Sequence, residues 1–459
     1  MPGMTSDASD LDIVLGSSAG FLKGISIRSH TLSPLSLIKN ENVSTMCWCG
    51  SEVLFGCCSG KLYSLDTKSQ SVTLIKQFSK SEEDSVVSLQ SHDKLVFILS
   101  AHSSGDIRVF SHDLTSEKFQ LNVSGLICSA KLTANQVVAG GKELALRVWD
   151  INNHGSPIFT AKNVRSSVLE LSVPIWISDV SVVPKSNGKL ILTASRYGEF
   201  DIYDLRCGQR RPVARHAWRT SRKHGKLHVG SGKHSAVLPD LTTTRPITKA
   251  VAYDNSPGMG LRVVAGNAVG ELSVLDLRLP PEYSNLNFFD GSGAIPVRSY
   301  GSRAPDPPSG VRCLAGASGC ITQLICSGAD EENTFPFMEA AVNSEPVIVA
   351  SSLDRYLRIY NRDTGKRLGK IYVKVPVTSF LVRSNTSFAN IENFLKKDDD
   401  NVSNKEEKVE SSYGISKAEQ KEFEDLWDQI PVVENDNDGV NEGCKRTTGL
   451  KTGKRRRKK

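Results

Sequence analysis

Short apolar runs recur along the chain, each followed by small residues and then by alternating apolar and polar positions that end in Asp or a polar substitute. Aligned on that pattern, seven fourteen-residue segments stand out: IVLGSSAGFLKGIS from Ile13, VLFGCCSGKLYSLD from Val53, ILSAHSSGDIRVFS from Ile98, VVAGGKELALRVWD from Val137, ILTASRYGEFDIYD from Ile191, VVAGNAVGELSVLD from Val263 and IVASSLDRYLRIYN from Ile348. The first part of each reads as a strand with its turn and the last six residues as the next strand. In five segments the eighth position is Gly (Gly20, Gly60, Gly105, Gly198, Gly270), as a tight hairpin with positive φ demands.

Segment starts are 40, 45, 39, 54, 72 and 85 residues apart. A period near 40 to 45 with four strands per unit predicts an all-β, seven-bladed WD40-type β-propeller. A β-sandwich or two smaller β domains are the competing architectures. Further strands fall where a blade needs its innermost one: VSTMCWC from Val43, SVVSLQ from Ser85, LICSAKL from Leu126, ISDVSVV from Ile177 and ITKAVAY from Ile247. The repeats are divergent: only the fourth carries a Trp-Asp pair, Trp149-Asp150, and Gly-His before the inner strands is missing. Residues 1–12 are too few and too polar to start the first blade, so Val377 to Val382 is expected to pair with the Ile13 strand and close the ring.

The propeller is thus expected over 13–384, with two insertions. One, 206–249, holds eleven Lys/Arg against the single acid Asp240. The other, 279–346, is rich in Pro, Gly and Ser and reads as a long surface excursion. Residues 385–459 read as a disordered, charged C-terminal tail. Its first part, 385–442, carries sixteen acids and six bases, and 443–459 carries nine bases and no acid. Within the tail, a short amphipathic helix is predicted over 416–430: Ser416 and Glu419 form a capping box, and Phe423, Leu426, Trp427 and Ile430 fall on one stripe. Four apolar residues on a helix too short to stand alone point to partner binding, with docking onto the propeller as the alternative.

Composition narrows the class. The 459 residues are 39% hydrophobic and 23% charged, and the formal net charge of +7 averages over strongly segregated charges. No apolar run reaches membrane-spanning length and no secretory leader pattern is present, so the protein is expected inside the cell. Ten cysteines without a CxxC pair indicate neither a disulfide scaffold nor a zinc knuckle.

Several motifs dissolve on inspection. Gly16-Ser17-Ser18-Ala19-Gly20 matches a nucleophile elbow, but it occupies a β-hairpin shared with six sister segments. GCCSGK, Gly56 to Lys61, is one residue short of a phosphate loop and precedes a strand. His224 and His228, near Cys207, His216 and His234, lack the cysteine half of a zinc finger. Glu434 to Gly439 imitates a calcium loop, but Lys445 stands where a bidentate acid belongs. No catalytic constellation, metal site or cofactor is expected, and the protein is read as a non-enzyme.

The cationic insertion is the stronger signal, because uncompensated charge gains from counterion release on a polyanion. Arg210, Arg211, Arg215, Arg219, Arg222, Lys223, Lys226 and Lys233 are the candidate RNA contacts, with Trp218 placed to stack on an unpaired base. The terminal Lys454, Arg455, Arg456, Arg457, Lys458 and Lys459 read as a nuclear localisation signal for an import receptor.

The stretches GGKELALRVWD (Gly140 to Asp150), LTASRYGEFDIYDLRCGQRRPV (Leu192 to Val213) and ASSLDRYLRIYNRDTGK (Ala350 to Lys366) resemble the nucleolar WD-repeat factor family of large ribosomal subunit assembly. The likeness spans about 10 to 385, with Gln209-Arg210-Arg211-Pro212-Val213 its most specific element. The basic stretch after Arg215 departs from the family pattern. The resemblance implies a seven-bladed scaffold in nucleolar large-subunit precursors, binding proteins and rRNA, supporting rRNA processing and released with the help of an AAA-type ATPase. A WD40 adaptor or substrate receptor of a chromatin or ubiquitin-ligase complex is the alternative.

Overall fold

In the computed structural model, each blade is a four-stranded antiparallel sheet, and the seven blades follow one another around a ring. The structure describes residues 11–391 except 30, 79–83, 93–96, 112–113, 115, 134, 154–155, 165–172, 222–241, 254–260, 278–310, 330–344, 384–385 and 389–390. The chain divides into two units, Met1–Asp398 and Asp399–Lys459, and the second lies outside the described residues. The predicted helix 416–430 and basic terminus 445–459 fall there.

Six inner strands are Val43–Cys49, Val86–His92, Leu126–Thr133, Ile177–Val182, Ile247–Tyr253 and Ile321–Cys326, heading blades 2 to 7. Blade 1 takes its inner strand from the far end of the sequence. Val377–Val382 pairs antiparallel with Ile13–Ser17, in the register Ile13 to Val382 and Gly16 to Ser379. The closure expected from the sequence is therefore observed. The third and outer strands of blade 1, Phe21–Ser26 and Thr31–Leu37, come from the N-terminal side.

What joins one blade to the next is repeated chemistry. At the fourth position of the segments stands Gly16, Gly56, Gly140 or Gly266 in four blades and Ala101, Ala194 or Ser351 in the others. The space is taken by the next blade: a Cβ on Gly16, Gly56, Gly140 or Gly266 would come within 2.6, 2.6, 2.9 or 2.7 Å of Val43, Val86, Ile177 or Ile321. Each of these four bulky residues sits near the start of its inner strand. The Ser or Thr after the first inner-strand residue adds a hydrogen bond across the other seam, to the inner strand of the following blade. Ser44 Oγ donates to Val86 O (2.5 Å), Thr248 Oγ1 to Ile321 O (2.8 Å), Thr322 Oγ1 to Val377 O (2.8 Å) and Thr378 Oγ1 to Val43 O (2.5 Å). The last of these spans the closing seam.

The apolar core accordingly runs between blades. One cluster joins Leu99 and Val109 of blade 3 to Ile127, Ala130 and Val137 of blade 4; another joins Val14 and Leu22 of blade 1 to Val43 and Phe55 of blade 2. Packing continues past 384, where the tail was expected to begin. Phe388 and Ile391 are buried with Val347, Ile371 and Phe380, so the last described residues belong to the propeller.

Both insertions are shorter than composition indicated. Within 206–249, Ala214–Ala217 is the outer strand of blade 5 and Ile247–Tyr253 the inner strand of blade 6. Within 279–346, Val311–Leu314 closes blade 6 and Ile321–Cys326 opens blade 7. A blade contributes four strands, and these two excursions supplied strands that no repeat segment accounted for.

Antiparallel order puts the hairpins between second and third strands, together with the blade-to-blade connections, at one end of the ring, here called upper. There the tip residue of each of six hairpins donates its N–H to the residue just ahead of, or opening, the inner-strand region of the same blade. The pairs are Ser18 to Pro376, Cys58 to Asn42, Ser103 to Ser85, Arg196 to Trp176, Ala268 to Pro246 and Leu353 to Cys320, at 2.9–3.4 Å.

Gly56→Ala is expected to cost about 1–3 kcal/mol by overpacking against Val86, read as a lowered unfolding midpoint. Combining it with Val86→Ala should recover part of that loss, giving a favourable coupling in a double-mutant cycle. Simple additivity would contradict the seam.

Candidate nucleic-acid interface

Blade 4 has the shortest outer strand of the ring, Phe159–Thr160. Most of the edge of its third strand, Leu144–Asp150, lies beyond that pairing. The segment after blade 5's third strand crosses to the end of that short outer strand and the residues just beyond it, Thr160, Lys162 and Asn163. That strand, Glu199–Asp204, ends in a single 3-10 turn, Leu205–Cys207, capped by Asp204 and released through Gly208 at φ 66°. Asp204 accepts from Arg206 N (2.9 Å), Nε (2.9 Å) and Nη2 (2.8 Å), which neutralises Arg206 locally and holds the Asp204 carboxyl below its usual pKa.

The next five residues form a clasp. Gln209 Nε2 donates to Arg211 O and Pro212 O, and Val213 N returns the chain to Ile202 O (2.7 Å). Lys162 N donates to Arg210 O (2.8 Å), Arg210 Nε to Thr160 O (2.7 Å) and Arg211 Nε to Asn163 O (3.2 Å). Both arginines are exposed. Among the described residues, no hydrogen bond engages their terminal nitrogens. Each guanidinium is therefore oriented by one backbone carbonyl while keeping a fork of donors that matches a phosphate. Exposed Lys162 and Lys189 extend the cationic flank, the latter through the contact of Leu205 N with Lys189 O.

The other candidates from this stretch go elsewhere. Arg215 lies on the outer strand of blade 5 and grips Asp201 with two bonds, Nε–Oδ1 2.6 Å and Nη2–Oδ2 2.8 Å, with Glu199 at 3.3 Å from Nη1. Trp218 is 4% exposed and stacks on Phe200 at 6.5 Å in the core shared by blades 5 and 6. The expectation that Trp218 stacks on a base is overturned: its ring is already covered by apolar side chains. Arg245 pairs with Glu271 (3.1 Å) and Lys249 lies 3.8 Å from Asp179 at the channel wall. Arg219–Ser221 pairs with Thr242–Thr244 in a two-stranded ribbon at the base of the cationic loop. Arg222, Lys223, Lys226 and Lys233 lie outside the described residues, as do His224, His228 and His234. Much of the charge counted in the sequence is thus neutralised by blade residues.

The motifs that imitate catalytic sites lie within the blades. Ser18 sits in the hairpin between Ile13–Ser17 and Phe21–Ser26, whose turn is held by Phe21 N on Ser17 Oγ (2.9 Å) and Gly20 at φ 75°. Lys61 is bound to Glu41 at 2.6 Å, away from any phosphate role. Blade 3 contains a serine, histidine and aspartate in sequence that imitates a triad: Ser100 Oγ lies 3.1 Å from His102 Nε2, and Asp84 Oδ2 lies 3.8 Å from Nδ1. Ser100 and His102 are fully buried, and Phe78 covers the imidazole edge-on at 4.8 Å, so no substrate reaches the hydroxyl. Cys207 Sγ donates to Asp204 O while His216 is buried under blade 5, and among the described residues no three His, Cys, Asp or Glu gather as a metal site.

No protein-family profile matches the chain. WD repeat-containing protein 74 of Bos taurus is 25% identical over 383 residues, covering 80% of this chain and 80% of that protein. The Homo sapiens protein of the same name gives the same identity and coverage. Ribosome biogenesis protein NSA1 of Meyerozyma guilliermondii is 23% identical over 251 residues, covering 53% of this chain and 50% of that protein. These homologues match the WD-repeat assembly-factor resemblance carried by the sequence.

Burial holds the pKa of His102 and of His216 below the usual histidine value, with nearby Asp84 and Asp201 opposing it. Both are neutral in the fold, whereas the unfolded chain protonates near pH 6.5. Stability should therefore be full above about pH 6.5 and fall as pH drops toward 5, ahead of carboxylate titration. Thermal midpoints at a series of pH values check this. His102→Gln with His216→Gln should flatten the profile, and an unchanged slope would remove the histidines as its cause.

Proposed function

We propose that the protein is a non-enzymatic platform in ribosome biogenesis, acting in the nucleus and nucleolus on large-subunit precursor particles. The naming of the NSA1 homologue as a ribosome biogenesis protein supports that process. The observation that carries the RNA reading is the Arg210–Arg211 clasp: two exposed guanidinium groups fixed through Nε on blade 4 carbonyls, with terminal donors uncommitted among the described residues. Flexible surface cations lose side-chain entropy when they bind, and these two have already lost part of it.

In this reading, rRNA phosphates lie along the flank of blades 4 and 5, contacting Arg210, Arg211 and Lys162. Arg222, Lys223, Lys226 and Lys233 supply further phosphate contacts. Phe423, Leu426, Trp427 and Ile430 recruit a partner protein, and Lys454 to Lys459 engage an import receptor. An AAA-type ATPase then releases the platform as the particle matures and rRNA processing proceeds.

Arg210→Ala with Arg211→Ala is expected to weaken binding of single-stranded rRNA fragments. It should also reduce the slope of log Kobs against log salt by about 0.7 per lost phosphate contact. An unchanged slope in a protein of unchanged helical and sheet signal would refute the clasp as an RNA contact. Purification with and without RNase separates the adaptor reading, which predicts RNase-indifferent recovery of chromatin or ubiquitin-ligase subunits. Deleting Lys454 to Lys459 should move a fluorescent fusion from the nucleolus to the cytoplasm.

A further inference from the structure

The upper end of the ring carries a second surface of different composition. Leu126, 52% exposed, opens the inner strand of blade 4 and pairs opposite Lys142. Trp176 precedes the inner strand of blade 5, with Lys142 Nζ 5.2 Å and Arg196 Cζ 5.5 Å from its ring centre. Tyr197, Val269 and Leu353, at 41%, 51% and 47% exposed, crown the hairpins of blades 5, 6 and 7.

These residues form one arc. Gly198, next to Tyr197, abuts Thr244 and Arg245 of the chain entering blade 6. Gly270, next to Val269, abuts Ala317 and Gly319, and Gly319 in turn abuts Leu353 of blade 7. Apolar side chains from four successive blades thus stand exposed at one end of the ring.

The charges on the rim are unbalanced. Its carboxylates are largely committed: Glu41 to Lys61 and Ser59, Glu271 to Arg245 and Asn267, and Asp354 to Arg358 and Ser318. Lys142, Arg196 and Arg355 are exposed and, among the described residues, pair with no carboxylate. Glu143, beside Lys142, is an exposed acid on the same arc and leaves its described residues net positive.

Aliphatic tips discriminate between classes of partner. RNA engages proteins by phosphate contacts and by stacking bases on aromatic or guanidinium planes, to which Leu126, Val269 and Leu353 contribute nothing. Their burial is favourable only against apolar side chains, about 25 cal/mol for each Å² removed from water. Cations between them favour acids on the incoming chain.

We propose that the upper arc of blades 4 to 7 is a docking surface for an acidic amphipathic segment of a partner protein. Apolar side chains of that segment cover Leu126, Val269 and Leu353, and its carboxylates face Lys142, Arg196 and Arg355. The surface is distinct from the Arg210–Arg211 flank, and it adjoins the Arg219–Ser221 and Thr242–Thr244 ribbon where Gly198 meets Thr244.

The test is selection of a displayed library of random peptides of about fifteen residues on the full-length protein. Enriched peptides should be acidic, with apolar residues at helical spacing. Val269→Ser with Leu353→Ser, and separately Lys142→Glu with Arg196→Glu, should each raise the dissociation constant of the best peptide about tenfold or more at an unchanged thermal midpoint. Arg210→Ala with Arg211→Ala should leave it unaltered, so that failure here and failure of the RNA reading are told apart. No enrichment, enrichment of basic or aperiodic peptides, indifference to both upper-rim variants, or displacement of the peptide by a single-stranded RNA of about twenty nucleotides would overturn the proposal.

Discussion

The pairing of Val377–Val382 with Ile13–Ser17 is the contact on which the ring depends. Every blade buries its apolar faces against two neighbours, so an open ring would expose two such faces and two sheet edges at once. The closing seam is built with the same parts as the others. Thr378 donates to Gly16 O and to Val43 O, tying the last inner strand to its own blade and to the next. Phe388 and Ile391 then cover the flank where the chain's two described ends meet. Closure makes the scaffold rigid, and rigidity is what fixes side chains on its rim and flank without a ligand.

Much of the fold was legible because the seam leaves a mark in sequence. The small fourth position in each segment reports that the next blade's inner strand packs there, and Gly16, Gly56, Gly140 and Gly266 are the positions where a Cβ has no room. The second seam element, Ser or Thr after the first inner-strand residue, is equally local, although only the structure shows the carbonyl it reaches. Ile321–Cys326 was missed for a converse reason. It lies in a stretch dominated by Pro, Gly and Ser, and its six residues do not alternate strongly enough to stand out from that background.

The candidate site was less legible, since net charge over a window ignores partners far away in the sequence. Arg215 looked like part of a cationic loop, but its counter-charges Asp201 and Glu199 sit on the adjacent strand. Trp218 could have been assigned by strand parity: His216 and Trp218 fall on the same side of an outer strand and both are buried, while Arg215 faces the other way. Arg210 and Arg211 are exposed cations, and their anchoring on Thr160 O and Asn163 O, some fifty residues away in the chain, left no mark in the sequence. The short outer strand of blade 4 and the arginines of the following blade meet at Thr160 and Asn163, which places oriented charge on the flank.

Closure also has a consequence in time. Ile13–Ser17 leaves the ribosome ahead of its partner strand, which follows more than 350 residues later. At synthesis rates of about 5–20 residues per second, blade 1 waits roughly 20–70 s with an apolar edge unpaired. The strands of blades 2 to 7 are all synthesised in that interval. The first blade translated is therefore the last one finished, and a nascent chain carries its most vulnerable strand until its propeller is complete.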